Sequence, residues 1–301
     1  MSHLPAPNPA ETPLPNAVER VAASVVGIAL RRGRAAGVVW QPGVVVTSAS
    51  AVWRQPRIAL VLPGGETVEG QLRGVDPGTD LAAIAFTGPA LPPVARDGEA
   101  RARAGDFVFA VGRDASGGVH ASFGHVGSAG GAWRSWRGGR VERLLKLDGG
   151  LYPGLDGAPV SHAGGACIGI ASSAFSRHHG VVLPPETVDR VLGALLTHGR
   201  LPQGYLGVAM QAVRAQLDGK AVSGLLVSSV AEDSPAARAG LLVGDVIVLA
   251  DGRAVESPEA LREQLVGSER VGARLALQVA RGGQALSLDV DIGERPPRTC
   301  H

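Results

Sequence analysis

The sequence predicts a mainly β protein in two parts, a larger domain folded as a Greek-key barrel or sandwich and a smaller α+β domain after it. Short runs rich in valine and isoleucine, separated by glycine-bearing turns, recur from Ala35 to Ala171 and favour a barrel or sandwich over alternating βα units. Toward the C-terminus the rhythm changes to capped helices between strands. The length of 301 residues, about twice that of a usual single domain, fits two domains.

Composition excludes several classes of protein. With 45% hydrophobic and 19% charged residues the chain can build a core, so global disorder is excluded. The 43 glycines and 21 prolines indicate many tight turns, and they follow no period of three, which excludes a collagen-like repeat. The near balance of 29 basic and 27 acidic residues gives no whole-molecule attraction to nucleic acid or to an anionic membrane, and neither partner is expected.

In the first domain, Val18 to Leu30 is predicted as a short helix running into a strand. The Pro63-Gly-Gly-Glu66 turn predicts a hairpin between Ile58–Leu62 and Thr67–Val75. Apolar residues at helical spacing predict a helix from Pro185 to His198, which Gly199 ends. Further strands are predicted at Phe107–Val111, Val119–Val126, Leu144–Leu147 and Cys167–Ala171.

The second domain is predicted from two Ser-Pro pairs. Ser234-Pro235 and Ser257-Pro258 each combine a capping serine with a first-turn proline, which is typical of a helix start. A closing pair of strands is predicted at Leu275–Val279 and Leu286–Ile292. The predicted boundaries are a disordered proline-rich tail over residues 1–17, a first domain over 18–199, a linker over 200–203, a second domain over 204–293 and a tail over 294–301.

Four segments, taken in order, resemble the HtrA (Deg) family of trypsin-like serine proteases followed by a PDZ domain. The resemblance implies a trypsin-like double Greek-key β-barrel and then a small α+β PDZ domain. The segments are Val44–Val52, which resembles the strand and turn of the family's catalytic histidine; Asp76–Ile84, which resembles that of the catalytic aspartate; Leu147–Val160, which resembles the nucleophile loop; and the PDZ-like set Gly204–Val208, Gly224–Val230 and Ser234–Ile247.

Residue by residue, the resemblance places the catalytic histidine at position 50, the aspartate at 80 and the nucleophilic serine at 156. The residues present are Ser50, Asp80 and Asp156, so only the orienting acid is retained. A serine hydroxyl cannot act as a base near neutral pH, and loss of the base or the nucleophile alone costs about 10⁶ in turnover in a comparable triad. We therefore expect an inactive protease homologue, a pseudoprotease.

The resemblance also implies an oxyanion hole formed by the N–H groups of Gly154 and Asp156, and we hypothesise that the Asp156 carboxylate fills it. Three alternatives keep an enzyme possible. One is an active serine endopeptidase of protein quality control with an unorthodox site; another is an Asp80–Asp156 acid–base pair. In the third, a different histidine serves as the base, and the candidates are His120, His125, His162, His178, His179 and His198.

The PDZ-like segment is expected to bind peptides. A peptide would add as a strand after Val208, with its terminal carboxylate held by N–H groups of the carboxylate-binding loop. An apolar end side chain would enter a groove beside Leu261 and Leu265. That loop comprises Tyr205, Leu206, Gly207 and Val208. The expected partners are unfolded proteins or apolar C-terminal peptides, an active HtrA paralogue, and further copies of the chain in a homotrimer; the alternative is a domain that only packs.

No cofactor or metal site is expected, because Cys167 and Cys300 lack metal-ligand spacing and His178-His179 is typical of a polar loop. The basic stretch Trp133–Arg143 suits either a solvated loop, nucleic-acid stacking or contact with a peptide or the PDZ domain. Met1–Asn16 has no apolar core of a secretory signal, and no run of 18 apolar residues exists, so no membrane span and a cytoplasmic location are expected. The family is usually extracytoplasmic.

Overall fold

The computed structural model describes residues 13–30, 33–53, 55, 57–96, 102–202, 204–217, 219–265 and 270–294. The chain divides into two compact units, Met1–Arg200 and Leu201–His301, and the division lies inside the predicted linker. None of the helices in these ranges has the length and apolar character needed to cross a membrane.

Two closed six-stranded barrels form the first unit, in agreement with the predicted double barrel. The first barrel has the strand order β1-β2-β3-β6-β5-β4 and the second has the order β11-β14-β13-β12-β7-β8. The strands of the first barrel are β1 (Val25–Ala29), β2 (Arg34–Gln41), β3 (Val44–Ser48), β4 (Ile58–Val61), β5 (Thr67–Asp76) and β6 (Leu81–Phe86). Those of the second are β7 (Phe107–Arg113), β8 (Val119–Gly130), β11 (Leu144–Leu147), β12 (Pro159–His162), β13 (Cys167–Ser172) and β14 (Val181–Leu183).

Each barrel is filled by its own aliphatic side chains, as alternation along the strands requires. Val26, Leu60 and Ile84 lie in the core of the first barrel, and Leu145 and Val160 lie in that of the second. A short hairpin, β9 (Trp133–Arg134) with β10 (Arg140–Val141), connects β8 to β11. The helices of this unit are α1 (Pro13–Ala22), α2 (Ala49–Val52) and α3 (Pro185–His198).

Helix α3 confirms the prediction from apolar spacing. It ends at Gly199, whose left-handed φ of 71° lets its N–H donate to the Leu195 carbonyl. The predicted hairpin between Ile58–Leu62 and Thr67–Val75 is confirmed by the pairing of β4 with β5.

The predicted disordered tail over residues 1–17 is wrong from Pro13 onward, because α1 begins there. Ala17 and Val21 are buried against Phe109 and Val111 on the outside of the second barrel. Prolines suggested a disordered segment, but a proline in the first turn of a helix lacks only an N–H that would have no helical partner anyway. Residues 1–12 lie outside the described residues.

The second unit is a small α+β domain, as predicted. Its main sheet has the order β16-β17-β18-β20-β21, β19 pairs with β18, and β15 pairs with β22. Both Ser-Pro predictions are confirmed, since Ser234 accepts a hydrogen bond from the Ala237 N–H and Ser257 accepts one from Ala260. The elements are β15 (Gly204–Tyr205), β16 (Val208–Leu217), β17 (Lys220–Val230), α4 (Pro235–Arg238), β18 (Val246–Ala250), β19 (Arg253–Ala254), α5 (Pro258–Leu265), β20 (Arg274–Arg281), β21 (Gln284–Asp291) and β22 (Gly293–Glu294).

The C-terminal tail, predicted from residue 294, begins later than expected. Glu294 belongs to β22 and lies opposite Gly204 in the ladder, so the second domain includes it. Residues 295–301 lie outside the described residues.

Candidate active site and peptide site

The turn that carries Asp80 is held by a second aspartate. Asp76, the last residue of β5, accepts hydrogen bonds from the Gly78 N–H at 3.1 Å and from the Thr79 N–H and hydroxyl at 3.0 and 2.6 Å. Asp80 follows with a left-handed φ of 57° and is fully buried. This φ is uncommon for a residue with a side chain, so the surrounding contacts must hold the backbone in place.

The Asp80 carboxylate accepts hydrogen bonds from three serines. The hydroxyls of Ser48 and Ser172 each lie 2.7 Å from its Oδ2, and the Ser50 N–H lies 2.8 Å from its Oδ1. The Ser50 Oγ lies 2.8 Å from the Ser48 Oγ. Because the single hydroxyl proton of Ser48 goes to Asp80, Ser50 is the donor in that pair. The buried carboxylate is therefore satisfied, as a buried charge must be.

Asp156 lies in the predicted nucleophile loop between β11 and β12. Its carboxylate accepts hydrogen bonds from the Ser173 N–H at 2.8 Å and from the Ser173 hydroxyl at 2.9 Å. Burial raises the pKa of the Asp156 carboxyl above its ordinary value, the two bonds from Ser173 oppose the rise, and the charge of Asp80 adds to it. The nucleophile loop is thus tied to the segment that follows β13.

The hypothesis that the Asp156 carboxylate fills the oxyanion hole is wrong. Its oxygens bind Ser173 rather than the N–H groups of the hole, and its pKa is raised where a carboxylate held by the hole would have a lowered one. The physical reason is that Ser173 offers both its N–H and its hydroxyl to the carboxylate. The linear sequence does not show that Ser173 lies beside Asp156.

The loop predicted to form the oxyanion hole has two N–H groups without an acceptor among the described residues. Gly154 has a left-handed φ of 93°, and among the hydrogen bonds between described residues none comes from the N–H of Gly154 or of Asp156. A Cβ at Gly157 would lie 2.3 Å from the Ala36 carbonyl and from the Thr47 hydroxyl, so only glycine fits where the loop meets the first barrel. Two unpaired donors therefore remain available for a carbonyl oxygen.

Sequence reasoning missed Ser48, Ser172 and Ser173. Ser172 is the last residue of β13 and Ser173 follows it directly, and successive residues of extended chain point in opposite directions. One therefore reaches Asp80 and the other reaches Asp156. This alternation is the signal that the sequence offers for the two serines. It indicates that their side chains point in opposite directions, but it does not identify Asp80 and Asp156 as their partners.

None of the six alternative histidines takes the place of the missing base. Across the described ranges, no hydrogen bond or ion pair joins any of them to Ser50, Asp80 or Asp156. His120 lies beside the loop, with its Nε2 at 3.6 Å from the position of a Cβ at Gly154. Burial lowers the pKa of His120, and the neighbouring Arg34 lowers it further. Among the described residues no hydrogen bond joins the two aspartates, and each has its own serine donors.

The Trp133–Arg143 stretch is a packed hairpin rather than a freely solvated loop. The Ser135 hydroxyl donates to the Gly78 carbonyl at 2.6 Å, beside the turn of Asp80, and Trp133 meets Phe175 edge to face at 5.6 Å between ring centres. At the tip, the Arg137 guanidinium lies 4.5 Å from the ring centre of Trp136, which is 73% exposed. The hairpin braces the segments that carry Asp80 and Ser173.

Metal and thiol chemistry find no support in the described ranges, where no group of three or more His, Cys, Asp or Glu side chains could hold a metal ion. Burial raises the pKa of the Cys167 thiol to about 12, which keeps it protonated and unreactive. Cys300 lies outside the described residues.

In the second unit, the predicted carboxylate-binding loop is attached to the start of α4. The Leu206 carbonyl accepts from the Ala236 N–H at 2.9 Å, and the Gly207 carbonyl accepts from the Ala231 N–H at 2.7 Å. Gly207 has φ 83°, and a Cβ there would lie 2.2 Å from the Ser234 Cβ. Glycine is therefore required by both its dihedral angle and its close approach to Ser234. Tyr205 begins the loop and pairs with Gly293.

The edge of the sheet beside this loop is open. Val208 lies opposite Val230, and because the Ala231 N–H reaches the Gly207 carbonyl, this is a non-hydrogen-bonded pair. The Val208 N–H therefore points away from β17, and β16 is the last strand of the sheet among the described strands. Leu261 and Leu265 of α5 belong to the core together with Leu206, so they form the buried floor beside this edge rather than an exposed lining.

Two family descriptions match the chain. Residues 35–170 match a trypsin-like peptidase domain, and residues 204–292 match a PDZ domain. Together with the two barrels, these matches define a trypsin-like peptidase domain followed by a PDZ domain.

Similar proteins of known name indicate which trypsin-like peptidases this chain resembles. The chain is 31% identical over 268 residues to a probable periplasmic serine endoprotease DegP-like of Pseudomonas putida (strain W619), covering 86% of this chain and 55% of the relative. It is 31% identical over 270 residues to the protein of the same name in Brucella suis biovar 1 (strain 1330), covering 86% and 52%. The solved HtrA-type protease AlgW with decapeptide has a TM-score of 0.72 and 25% identity, covering 94% of this chain and 99% of that one.

The chain is a member of the HtrA/DegP family of trypsin-like serine proteases with a PDZ domain. It spans about half the length of the curated relatives it matches.

The expected cytoplasmic location is wrong. Curated relatives that match 86% of the chain are named periplasmic endoproteases. The expectation depended on the composition of sixteen N-terminal residues, whereas the match extends over most of the chain.

Asp156→Asn is expected to raise the melting temperature at neutral pH. The amide can keep the bonds with Ser173 while removing a charge that burial disfavours. A carboxyl with a raised folded pKa stabilises the fold only when protonated, so the advantage of the variant should shrink as pH falls from about 7 toward 3. Thermal denaturation of both proteins over this pH range measures the difference in melting temperature.

Asp114→Asn is the matched control, because it is expected to lower the melting temperature at neutral pH where Asp156→Asn raises it. Hydrogen bonds from Ser116 and Gly118 lower the pKa of Asp114, so its ionised form stabilises the fold above its unfolded pKa and the variant should melt lower at neutral pH. If Asp156→Asn melts at or below the temperature of the parent at neutral pH, burial of the Asp156 carboxylate does not destabilise the fold and the prediction is wrong.

Proposed function

We propose that this chain is a proteolytically inactive HtrA homologue that binds unfolded or apolar C-terminal peptide segments through its PDZ domain and acts as a scaffold or regulator. One observation carries the proposal. The buried Asp80 is paired with serine hydroxyls and a backbone N–H, with Ser50 where the resemblance requires a histidine and Asp156 where it requires a serine.

The chemistry of the site supports inactivity. A Ser-His-Asp triad needs an imidazole that takes the nucleophile's proton and returns it to the leaving amine. Ser50 donates its own proton to Ser48 and has no basicity near neutral pH. Because triad members act as one unit, absence of the base alone costs about 10⁶ in turnover.

Asp156 does not supply a replacement nucleophile. Each of its oxygens accepts a hydrogen bond from Ser173, which lowers the nucleophilicity of the carboxylate. Attack on a peptide carbonyl would give an anhydride, and among the described residues no acid forms a hydrogen bond with Asp156 from which the departing amine could take a proton. The bridge to Ser173 also joins the nucleophile loop to the segment after β13.

The PDZ domain supports the binding role. The open edge of β16 allows an added peptide strand, and the loop Leu206–Val208 offers N–H groups to a terminal carboxylate. HtrA-type protease AlgW has been solved with a decapeptide and with a tripeptide, which favours peptide binding by a chain of similar fold. The alternative role for the domain is packing alone.

A periplasmic location follows in this proposal from the names of the relatives. There the partners would be exposed apolar peptide ends, an active HtrA paralogue and, in a homotrimer, further copies of the chain.

A second candidate is an active serine endopeptidase with an unorthodox site. The N–H groups of Gly154 and Asp156 favour it, because they have no hydrogen-bond acceptor among the described residues and the orienting acid Asp80 is retained as well. The names of the curated relatives favour it as well.

Casein turnover separates the two candidates. The parent chain should give no turnover above the buffer rate, while Ser50→His/Asp156→Ser should gain turnover, because the variant restores a base and a nucleophile beside intact oxyanion donors. Ser50→His alone and Asp156→Ser alone are the controls and should stay inactive. Turnover by the parent chain that matches or exceeds that of the double variant would refute inactivity.

Peptide binding is tested by calorimetry with a ten-residue peptide that ends in apolar residues. The free-acid peptide should bind about tenfold or more tighter than its C-terminal amide, because the amide loses charge-assisted hydrogen bonds to the loop. Gly207→Ala should weaken binding, since its Cβ would clash with Ser234. Gly219→Ala is the control, because Gly219 also has a positive φ of 76° but no atom near its Cβ position. Equal affinity for acid and amide would refute capture of the terminal carboxylate by the loop, and no binding of either peptide would leave the domain a packing module.

A further inference from the structure

Ser48 is a buried serine at the site, next to positions 50 and 80. It is the last residue of β3, fully buried, and its Oγ lies 2.7 Å from the Asp80 Oδ2 and 2.8 Å from the Ser50 Oγ. Ser48 therefore stands between the side chain of residue 50 and the carboxylate that should orient a base there.

The acceptor capacity of Asp80 is largely used. A carboxylate offers about four lone-pair positions, and three are taken by the Ser48 hydroxyl, the Ser172 hydroxyl and the Ser50 N–H. The hydroxyl that faces residue 50 is that of Ser48, whereas Ser172 approaches from β13. An imidazole introduced at position 50 would have to donate where Ser48 already donates.

We propose that Ser48 is a positioning residue that keeps Asp80 from pairing with a base at position 50. This inference rests on the proposed inactivity of the parent site and deepens it. Restoring positions 50 and 156 alone would place an imidazole beside Asp80 while the Ser48 hydroxyl holds the side of the Asp80 Oδ2 oxygen that faces residue 50. Removing the Ser48 hydroxyl frees that oxygen and lets the ring take the orientation that proton transfer requires.

The test compares Ser50→His/Asp156→Ser with Ser48→Ala/Ser50→His/Asp156→Ser. NMR titration of the introduced imidazole, identified as the resonance absent from the Asp156→Ser spectrum, gives its pKa. A carboxylate partner favours the charged ring, so the triple variant should bind the proton about tenfold more tightly and have the higher pKa. Its casein kcat should rise about tenfold, with KM little changed, because only the orientation of the base differs.

Ser172→Ala in the double-variant background is the matched control. It also removes one hydroxyl from the Asp80 Oδ2, but not the one that faces residue 50. A larger rise in imidazole pKa with Ser48→Ala than with Ser172→Ala supports the proposal. An equal rise, or none, overturns it, since the effect would then not depend on the place of Ser48.

Two further measurements ensure that a failure to fold, or activity of the parent chain, is not mistaken for an effect of Ser48 on the imidazole pKa. Circular dichroism checks each variant, and Ser48→Gly, which also lacks the hydroxyl, is the second variant if Ser48→Ala fails to fold. Turnover by the parent chain would refute the proposed inactivity, whereas the imidazole pKa reports on Ser48 whether or not the parent is active.

Discussion

A charge buried at the centre of the first unit constrains everything around it. Asp80 is fully buried, and a buried carboxyl group needs hydrogen-bond donors around it, so removing one of its partners is expensive. Its donors come from the end of β3 and from the end of β13, while the hairpin β9–β10 contacts its turn through Ser135. The two barrels therefore meet at this carboxylate, and its donors position the segments that would form a protease active site.

Geometry and chemistry are separable in this protein. Gly154 and Gly157 hold the loop because of their dihedral angles and close packing, and these requirements do not depend on which side chain stands at position 156. In the proposed function, the residues at positions 50 and 156 decide whether the site has a base and a nucleophile. A serine protease fold can keep this loop geometry whichever side chains stand at those positions.

Local signals in the sequence were enough for several elements. The apolar spacing of α3, the Ser-Pro starts of α4 and α5, and the segment of Asp80 all depend on residues near one another in the chain. The start of α1 was mispredicted because its stability comes from packing on Phe109 and Val111 of a distant strand. The partners of Asp80 and Asp156 could not be predicted, because Ser172 and Ser173 reach them only through barrel closure, from 92 and 17 residues away.

The central claim is that the site contains no activated nucleophile, although four serines surround its two aspartates. Exposure of the parent chain to a fluorophosphonate, followed by intact-mass and peptide-mapping spectrometry, tests this claim without any assumption about substrate. We expect no covalent adduct on Ser48, Ser50, Ser172 or Ser173, because none of them contacts an imidazole and the acceptors of Ser48, Ser172 and Ser173 are carboxylates, which are weaker bases. A stoichiometric adduct on any of them would contradict it.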